Sequence, residues 1–228
     1  MKFFIIIKEH SQRLPNKNFL KLGDKPLYKH LLNELKGEDV YVDRETFFLN
    51  PKVDTDSDFI YTELWNSSVT CYKRNQKFID LENDSDYGVS PVLLMTENFL
   101  DNYVNDDSEI IVTPFVTSPF IKLSTILDAV NHLNKGYDTI QACTEHQEFT
   151  YFDGKPINFD ENVVQKTQDL KPVVMGNGAF FIFTKKTFKE NNNRTGKNPY
   201  FYPLTIPESI EIDNAEDWYL AKRVYEHN

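Results

Sequence analysis

The first residues that suggest chemistry form a basic segment directly after a short apolar run. The run Phe3–Ile7 is followed by "KEHSQRLPNKN", which carries Lys8, Arg13 and Lys17 and contains no glycine. Long cationic side chains can neutralise a polyanion such as a chain of phosphates, with the Ser11 hydroxyl and backbone N–H groups as further donors. A solvated loop with scattered lysines and arginines would show the same composition, so spacing alone leaves both interpretations open.

A pair of carboxylates near the end of the sequence is the second such feature. Glu211 and Asp213 flank Ile212, and in an extended segment this spacing places both side chains on one side. Mg²⁺ prefers oxygen ligands and usually keeps water and substrate phosphates in its shell, so two carboxylates suffice. The sequence therefore predicts a Mg²⁺ site here. The alternative is that Asp213 or Asn214 only caps the following helix.

Other titratable residues give weaker indications. Asp54 and Asp56 form a second alternating pair, but their segment has no recognisable structural pattern and they rank below Glu211 and Asp213. The five histidines show no metal-ligand spacing, so we expect no zinc site. Two cysteines in a chain of this length do not indicate a disulfide framework.

Alternating strand and helix patterns must position these residues. We expect strands at Phe3–Ile7, Val40–Val42, Val69–Tyr72, Glu109–Thr113, Tyr137–Cys143, Ala179–Phe183 and Ile210–Ile212. We expect helices at about Lys25–Lys36, Pro91–Leu100, Ser124–Leu133 and Ala215–Tyr225. Segment 43–58 receives no structural prediction.

Strand–helix alternation predicts an open α/β sheet, mainly parallel, with helices on both faces. Ligands of such sheets bind where the strands end at their carboxyl edge. The basic segment leaves the first strand at that edge. The regular pattern breaks between Glu145 and Met175, where a polar stretch with the turn signal "FDGKP" predicts a hairpin or arm.

Composition narrows the function classes. The chain has 228 residues, 40% of them apolar, which predicts one domain over 1–228 with an arm at about 145–175. A net charge of −10 argues against a nucleic-acid or membrane-surface binder. No apolar run approaches the ~20 residues of a membrane span. The opening run is short and lacks a cleavage site, so we expect a cytoplasmic protein.

Several stretches together resemble one family, the cytidylyltransferases that activate sialic acid and Kdo as CMP-sugars. The opening "IIIKEHSQRLPNKNF" and "GDKPL" are similar to the family's first motif and its Gly-Lys-Pro-Leu. "VDTDSDFI", "CYKRN" and "VTSPF" resemble the next three motifs in order. "QDLKPVVMGNGAFFIF" is similar to the segment ending in Asn-Gly-Ala-Phe-Tyr, and "SIEIDNAEDWYLAK" to the C-terminal Ile-Asp-Thr-Glu-Asp-Trp stretch. Each motif is weak alone, but seven in order span nearly the whole chain.

The resemblance implies a Rossmann-like (GT-A-like) fold and transfer of CMP from CTP to a sugar acid with release of pyrophosphate. It implies Mg²⁺ as cofactor, CTP and a small-molecule acceptor as partners, and a homodimer formed through the arm. The implied roles are listed here together: phosphate contacts for Lys8, Arg13 and Lys17; nucleotide contacts for Ser11, Asn18 and Arg74; acceptor contacts for Thr117, Ser118, Asn177 and Gly178; metal ligation for Glu211 and Asp213.

Departures from the family pattern leave the acceptor open. Lys8 stands where the family has Arg, and Glu9 and His10 replace two small residues. Phe115 and Val116 replace the Gln-Pro before Thr-Ser-Pro, and in the sialic acid enzymes that Gln helps to hold the sugar acid. A small phosphonate such as 2-aminoethylphosphonate is therefore an alternative acceptor. A nucleotide-binding relative without catalysis is a further alternative, although retention of both Glu211 and Asp213 argues against it.

Several of these residues could instead have a purely structural role. Arg74 follows a predicted strand and is either a base-recognition residue or a surface arginine. Thr117 and Ser118 either line the acceptor side or open a helix as an ordinary turn. Asn177 and Gly178 either contact the acceptor or form the entry to a strand.

Overall fold

The computed structural model describes residues 1–36, 39–42, 45–65, 67, 69–84, 86–87 and 89–227. The strands, in chain order, are β1 (Lys2–Ile7), β2 (Lys21–Leu22), β3 (Lys25–Pro26), β4 (Asp39–Val42), β5 (Glu45–Phe48), β6 (Lys52–Thr55), β7 (Thr70–Lys73), β8 (Ile110–Pro114), β9 (Thr139–His146), β10 (Tyr151–Phe152), β11 (Lys155–Pro156), β12 (Val173–Thr184) and β13 (Pro199–Pro203). The α-helices are α1 (Leu27–Glu34), α2 (Asp58–Leu64), α3 (Gln76–Asn83), α4 (Val92–Tyr103), α5 (Leu123–Val130), α6 (Lys185–Asn191) and α7 (Ala215–His227).

Seven of these strands form one sheet in the order β13-β9-β12-β8-β1-β6-β7. All neighbours pair in parallel except β12, which is antiparallel to both β8 and β9. The strands β1, β6 and β8 therefore end at the same edge, and β12 begins there. The prediction of a mainly parallel α/β sheet is confirmed.

Strand β1 shows why both faces of the sheet are covered. Phe3, Ile5 and Ile7 pack into one buried cluster with residues of α1, α2 and α5. Phe4 and Ile6 alternate with them and pack against residues of α3, α4 and α6 on the opposite face. A strand buried on both faces must be apolar throughout, which explains the unbroken run "FFIII".

The arm predicted between Glu145 and Met175 is built on an antiparallel ribbon. The end of β9 pairs with the beginning of β12, from Cys143 opposite Gly176 to His146 opposite Val173. The two-stranded sheet β10–β11 lies within the intervening segment. Many of its apolar side chains are exposed, among them Phe149, Tyr151, Phe152, Val163, Val164 and Met175.

The strand predicted at Ile210–Ile212 is wrong. This segment has no regular secondary structure, and it forms no ladder with another strand in the part of the chain that the structure describes. It is anchored instead by the Ile212 N–H, which donates to the Thr117 carbonyl at 2.8 Å. A short apolar-acidic alternation is the same in a strand and in an extended segment held by single contacts.

Other expectations were incomplete. The predicted strand Val40–Val42 lies in β4, which pairs with β5 in a separate hairpin and not in the main sheet. Segment 43–58, left without a prediction, supplies β5, the central-sheet strand β6 and the start of α2. The pattern analysis did not find α3, α6 or β13. The strand β13 has proline at both ends and lies at the edge of the sheet, where the missing N–H groups are tolerated.

Candidate active site

A pocket of about 400 Å³ opens at the carboxyl edge of the sheet, between the loop after β1 and the segment before α7. Eight residues that the sequence singled out line it: Lys8, Ser11, Arg13, Lys17, Asn18, Thr117, Glu211 and Asp213. Four other candidates do not line it: Arg74, Ser118, Asn177 and Gly178. The structure thus brings the basic segment and the carboxylate pair together across about two hundred residues of sequence.

Short-range contacts shape the basic loop. A 3₁₀ turn at Lys17–Phe19 follows Asn16, whose backbone is left-handed (φ 53°). The Asn18 side-chain amide donates to the Lys8 carbonyl at 2.7 Å, which closes the loop back onto the end of β1. This hydrogen bond holds the backbone in a tight turn, in a loop that contains no glycine.

The buried side chain of Lys17 joins the two halves of the pocket. Its Nζ donates to the Ile212 carbonyl at 2.6 Å and to Asp213 Oδ1 at 3.0 Å. Arg13 Nη2 contacts the same Asp213 oxygen at 2.8 Å, although its side chain is 69% exposed. One carboxylate therefore holds two of the three predicted phosphate-binding cations.

Asp213 is not the cap of α7. Asn214 Oδ1 accepts from the N–H groups of Glu216 and Asp217, at 2.8 and 3.0 Å. The Asp217 carboxylate accepts in return from the N–H groups of Asp213 and Asn214. This reciprocal arrangement is a capping box. It leaves the Asp213 side chain directed to the pocket.

Gly178 supports the other carboxylate. Its N–H donates to Glu211 Oε2 at 2.8 Å. A Cβ at this position would lie 2.1 Å from Glu211 Oε1, so a glycine is required for Glu211 to occupy this place. Burial raises the pKa of the Glu211 carboxyl, and Asp213 adds to the effect, while the Gly178 N–H, Lys17 and Arg13 oppose it.

Two polar atoms at the pocket are buried without a hydrogen-bond partner among the described residues. They are the Ser11 hydroxyl oxygen and Asn18 Oδ1. Buried polar groups are normally paired, so these two atoms are available to bond a ligand or a water molecule in the pocket. Ser118 Oγ, in the turn after β8, is buried and unpaired as well.

Arg74 is placed differently from the sequence expectation. Its side chain is fully buried, and its guanidinium contacts Asp54 Oδ1 at 2.6 Å, Glu82 Oε2 at 2.9 Å and Asp56 Oδ2 at 3.6 Å. It is not a surface arginine. A nucleotide contact by Arg74 stays a prediction, and the geometry favours an indirect one through Glu82.

Glu82 is the main functional candidate that the sequence analysis missed. It lies on α3, lines the pocket, and bridges Arg74 to Lys8 Nζ, which is 2.9 Å from Oε1. Its helix was not predicted, so no pattern linked it to the site. The acid eight residues after Arg74 was the only signal in the sequence.

The predicted acceptor residues divide into two groups. Thr117 lines the pocket and its carbonyl anchors Ile212. Asn177 is buried and both ends of its amide are used internally, by the Ser209 carbonyl and the Ala179 N–H, each at 2.8 Å. Asn177 and Gly178 therefore hold the 209–211 segment in place. Direct acceptor contacts by either residue stay predictions.

Comparison with known proteins identifies the family. The family model described as "Cytidylyltransferase" matches residues 5–207. The chain belongs to the cytidylyltransferase family. The pocket, lined by eight of the twelve residues that the sequence singled out, is built from the matched region and the segment directly after it.

Two relatives illustrate the likeness within the family. An N-acylneuraminate cytidylyltransferase of Streptococcus agalactiae serotype III is 26% identical over 216 residues, which cover 91% of this chain and 49% of that protein. This cytidylyltransferase chain thus spans about half the length of that relative. A CMP-N,N'-diacetyllegionaminic acid synthase of Legionella pneumophila is 28% identical over 96% of this chain and 93% of its own.

Solved structures share the fold. A CMP:2-keto-3-deoxy-manno-octonic acid synthetase complexed with CTP superposes with a TM-score of 0.65 over 99% of this chain and 98% of its own, at 12% identity. A 4-diphosphocytidyl-2C-methyl-D-erythritol synthase superposes with a TM-score of 0.60 over 98% of both chains, at 7% identity. At these identities the likeness establishes the Rossmann-like α/β fold alone.

Two further findings on the described residues concern membrane-spanning helices and metal ligands. No helix there is long and apolar enough to cross a membrane. No group of three or more His, Cys, Asp or Glu residues there is arranged to hold a metal ion. A metal at this pocket would therefore rest on two protein carboxylates and on ligands from outside the chain.

Proposed function

We propose that the protein is a cytidylyltransferase that transfers CMP from CTP to a sugar acid and releases pyrophosphate. The observation that carries the proposal is the meeting of Arg13 and Lys17 with Glu211 and Asp213 in one pocket of a cytidylyltransferase-family chain. A triphosphate needs cations around it, and the departing pyrophosphate needs its growing charge stabilised. The cations would meet the first requirement, and the carboxylates would meet the second by holding a divalent ion between themselves and the phosphates.

In the proposed reaction an acceptor oxygen attacks the α-phosphorus of CTP in line. The new oxygen–phosphorus bond forms as the bond to the β-phosphate oxygen breaks, and the acceptor hydroxyl loses its proton to water. Lys8, Arg13 and Lys17 contact the phosphates, and the unpaired Ser11 hydroxyl and backbone of the loop orient them. Little covalent chemistry falls to the protein, so positioning and charge stabilisation account for the catalysis.

The residues present fit a Mg²⁺ ion. Glu211 and Asp213 offer oxygen ligands at the pocket, Gly178 leaves room for the Glu211 carboxylate, and Asn214 frees Asp213 from capping. Glu211 and Asp213 would hold the ion, and phosphate and water would complete its shell. When bound, the ion would neutralise phosphate charge between these carboxylates and the nucleotide.

We also propose that the nucleotide is a pyrimidine. Glu82 is fixed by Lys8 and Arg74 at the wall of the pocket. A carboxylate can accept from the cytosine amino group, as it does in nucleic-acid recognition. Adenine and guanine carry amino groups as well, so the discrimination rests on size: a pyrimidine needs a smaller pocket than a purine, and we expect a preference for CTP over ATP and GTP. Equal turnover with a purine triphosphate would contradict this assignment.

The test is a CTP-dependent pyrophosphate-release assay over a panel of acceptors, with and without a chelator. Turnover is expected with a sugar acid of the sialic acid or Kdo type, and it should vanish on chelation. Turnover of 2-aminoethylphosphonate with no turnover of any sugar acid would reassign the acceptor class. Nucleotide binding without turnover on the whole panel would instead support a relative without catalysis.

A homodimer formed through the arm and a cytoplasmic location complete the proposal. The arm carries exposed aromatic and aliphatic side chains, which a second subunit would bury. The location is supported by the proposed substrate, because CTP is a cytoplasmic metabolite.

A further inference from the structure

One arginine near the pocket differs from all the cations discussed so far. Arg194 lies in the loop after α6, and its guanidinium carbon is 4.1 Å from the centroid of the Phe181 ring and 5.6 Å from that of Phe115. Its Nη1 atom is buried and has no hydrogen-bond partner among the described residues. The two rings fix the position of the guanidinium, but neither neutralises it.

The cations that line the pocket differ from Arg194 because each of them has a charged partner. Lys8 is paired with Glu82, and Arg13 and Lys17 are paired with Asp213. For Arg194 the structure gives no ion pair or hydrogen bond within its described part. Burial lowers its pKa to about 10, which still leaves the guanidinium charged at neutral pH. A buried charge without a counter-charge is costly, so its retention points to an anion from outside the chain.

The position of Arg194 separates it from the triphosphate side. Phe115 follows β8 and lines the pocket, and Phe181 lies on β12 opposite Thr113. Lys8, by contrast, follows β1, on the other side of β8 in the sheet. Arg194 does not itself line the pocket. Its unpaired guanidinium lies beside Phe115, which does, on the side of β8 away from the loop that carries the phosphate-binding cations.

We propose that Arg194 binds a carboxylate of the acceptor at the Phe115 end of the pocket. This inference rests on the proposed function and names the residue that selects an acidic acceptor. A guanidinium held against the Phe181 ring presents a planar pair of N–H donors, which matches the two oxygens of a carboxylate. The replacement of the family Gln-Pro by Phe115 and Val116 removes one polar contact, and Arg194 supplies another beside it.

The test uses Arg194→Met, which keeps an apolar side chain on Phe181 and removes the charge, and Arg194→Lys, which keeps the charge without the planar fork. An N-acylneuraminate and its carboxyl methyl ester serve as acceptors. We expect Arg194→Met to raise KM for the acid by about tenfold to a hundredfold, the range for a hydrogen-bonded charge. KM for CTP and for the ester should change little, and Arg194→Lys should recover part of the loss.

A second measurement separates binding from structure. Since Met removes an unpaired buried charge, the ligand-free Arg194→Met protein should unfold at the same temperature as wild type or higher. The acid should raise the unfolding temperature of wild type more than that of the variant. Arg223→Met is the matched control, because Arg223 also lies over an aromatic ring, Tyr219 at 5.2 Å, but is exposed and paired with Glu226. It should leave KM for the acid unchanged.

Three results would overturn the inference. One is an unchanged KM for the acid together with a lower unfolding temperature, which would make Arg194 a packing residue. Another is an equal rise of KM for acid and ester, which would exclude a carboxylate contact. The third is equal stabilisation of wild type and variant by the acid. Wild type that turns over no acceptor would refute the proposed function, whereas the unfolding measurement would still decide on Arg194.

Discussion

At the scale of single residues, the acidic and basic groups of the pocket neutralise one another. Asp213 holds Arg13 and Lys17, and Glu82 holds Lys8. Under the proposed function, each of these pairs would be exchanged when a nucleotide arrives, because the phosphates would take the cations. A divalent ion can take over Asp213 at that moment, so the proposed ligand and metal replace the same internal contacts.

The metal assignment predicts the effect of Asp213→Asn. The change keeps the shape of the side chain but removes the charge that would hold Mg²⁺. We expect turnover to fall on the order of a hundredfold or more, as when one preorganised charge-stabilising group is lost. The cap of α7 should be unaffected, because Asn214 and Asp217 form it, but the unfolding temperature should fall somewhat because Lys17 and Arg13 lose their shared charged partner. Pyrophosphate release at limiting Mg²⁺ and thermal unfolding are the measurements.

Asn214→Ala is the matched control for this variant. It removes the cap and should lower the free energy of unfolding by about 1 kcal/mol. Its effect on turnover should be far smaller than that of Asp213→Asn. Near wild-type turnover of Asp213→Asn at limiting Mg²⁺ would defeat the metal assignment.

The buried network around Arg74 predicts a pH-dependent stability effect. Burial raises the pKa of Asp54 even though Arg74 opposes the shift. A carboxyl with a raised pKa stabilises the folded state at low pH, and this contribution is lost as pH rises through the folded pKa. Arg74→Met removes the opposing cation and raises that pKa further. We expect the variant to lose about 3–5 kcal/mol at neutral pH and progressively less toward pH about 4.

Chemical denaturation across this pH range measures the effect. Lys73→Met is a suitable control, because Lys73 is the neighbouring residue and its ion pair with Asp58 is exposed. It should leave stability nearly unchanged at any pH, because an exposed ion pair contributes little in water. A pH-independent loss in Arg74→Met, no larger than in the control, would show that Arg74 does not neutralise the buried acids.

At the scale of elements, segments with a strong apolar pattern could be predicted from the sequence. Segments whose structure depends on a few long-range contacts could not. The strand Phe3–Ile7 and the helix before Gly136 were found because long apolar patterns are decided by the core. The Ile210–Ile212 segment was misassigned because its structure depends on contacts from Thr117 and Lys17, which lie far away in sequence. Glu82 escaped notice for the same reason, since its partners come from other elements.

Packing of the last helix against the β2–β3 hairpin predicts an effect of Gly23→Ala. Gly23 has a positive φ of 63°, and a Cβ there would lie 2.2 Å from the ring of Tyr225 on α7. The variant combines backbone strain with displacement of this ring. We expect a loss of about 2–4 kcal/mol in the free energy of unfolding. Calorimetric or denaturant unfolding would measure it.

Gly136→Ala isolates the strain from the clash. Gly136 also has a positive φ, 92°, but nothing lies within 4 Å of a Cβ built there. Its loss should be confined to about 1–2 kcal/mol of backbone strain. Equal losses in the two variants would mean that the contact with Tyr225 contributes nothing.

At the scale of the whole molecule, the arm should decide the oligomeric state. Phe152 is 75% exposed and Val164 fully exposed in the segment between β9 and β12. We expect the protein to sediment as a dimer at micromolar concentration, and the double variant Phe152→Asp/Val164→Asp as a monomer, because two charges would be buried in the interface. Phe59→Asp, at an exposed site on α2 outside the arm, should leave the dimer intact. A wild-type monomer would refute the role of the arm.

The contacts of Lys17 with Ile212 and Asp213 have a consequence for the synthesis of the protein. Every strand of the central sheet has left the ribosome once Pro203 has emerged. The residues that Lys17 contacts, Ile212 and Asp213, have not yet emerged at that point. A nascent chain at that stage can assemble its sheet and still lack both carboxylates of the pocket. Under the proposed function, the active site is therefore complete only after residue 213 has been synthesised, and a chain that ends before it would have the sheet without the active site.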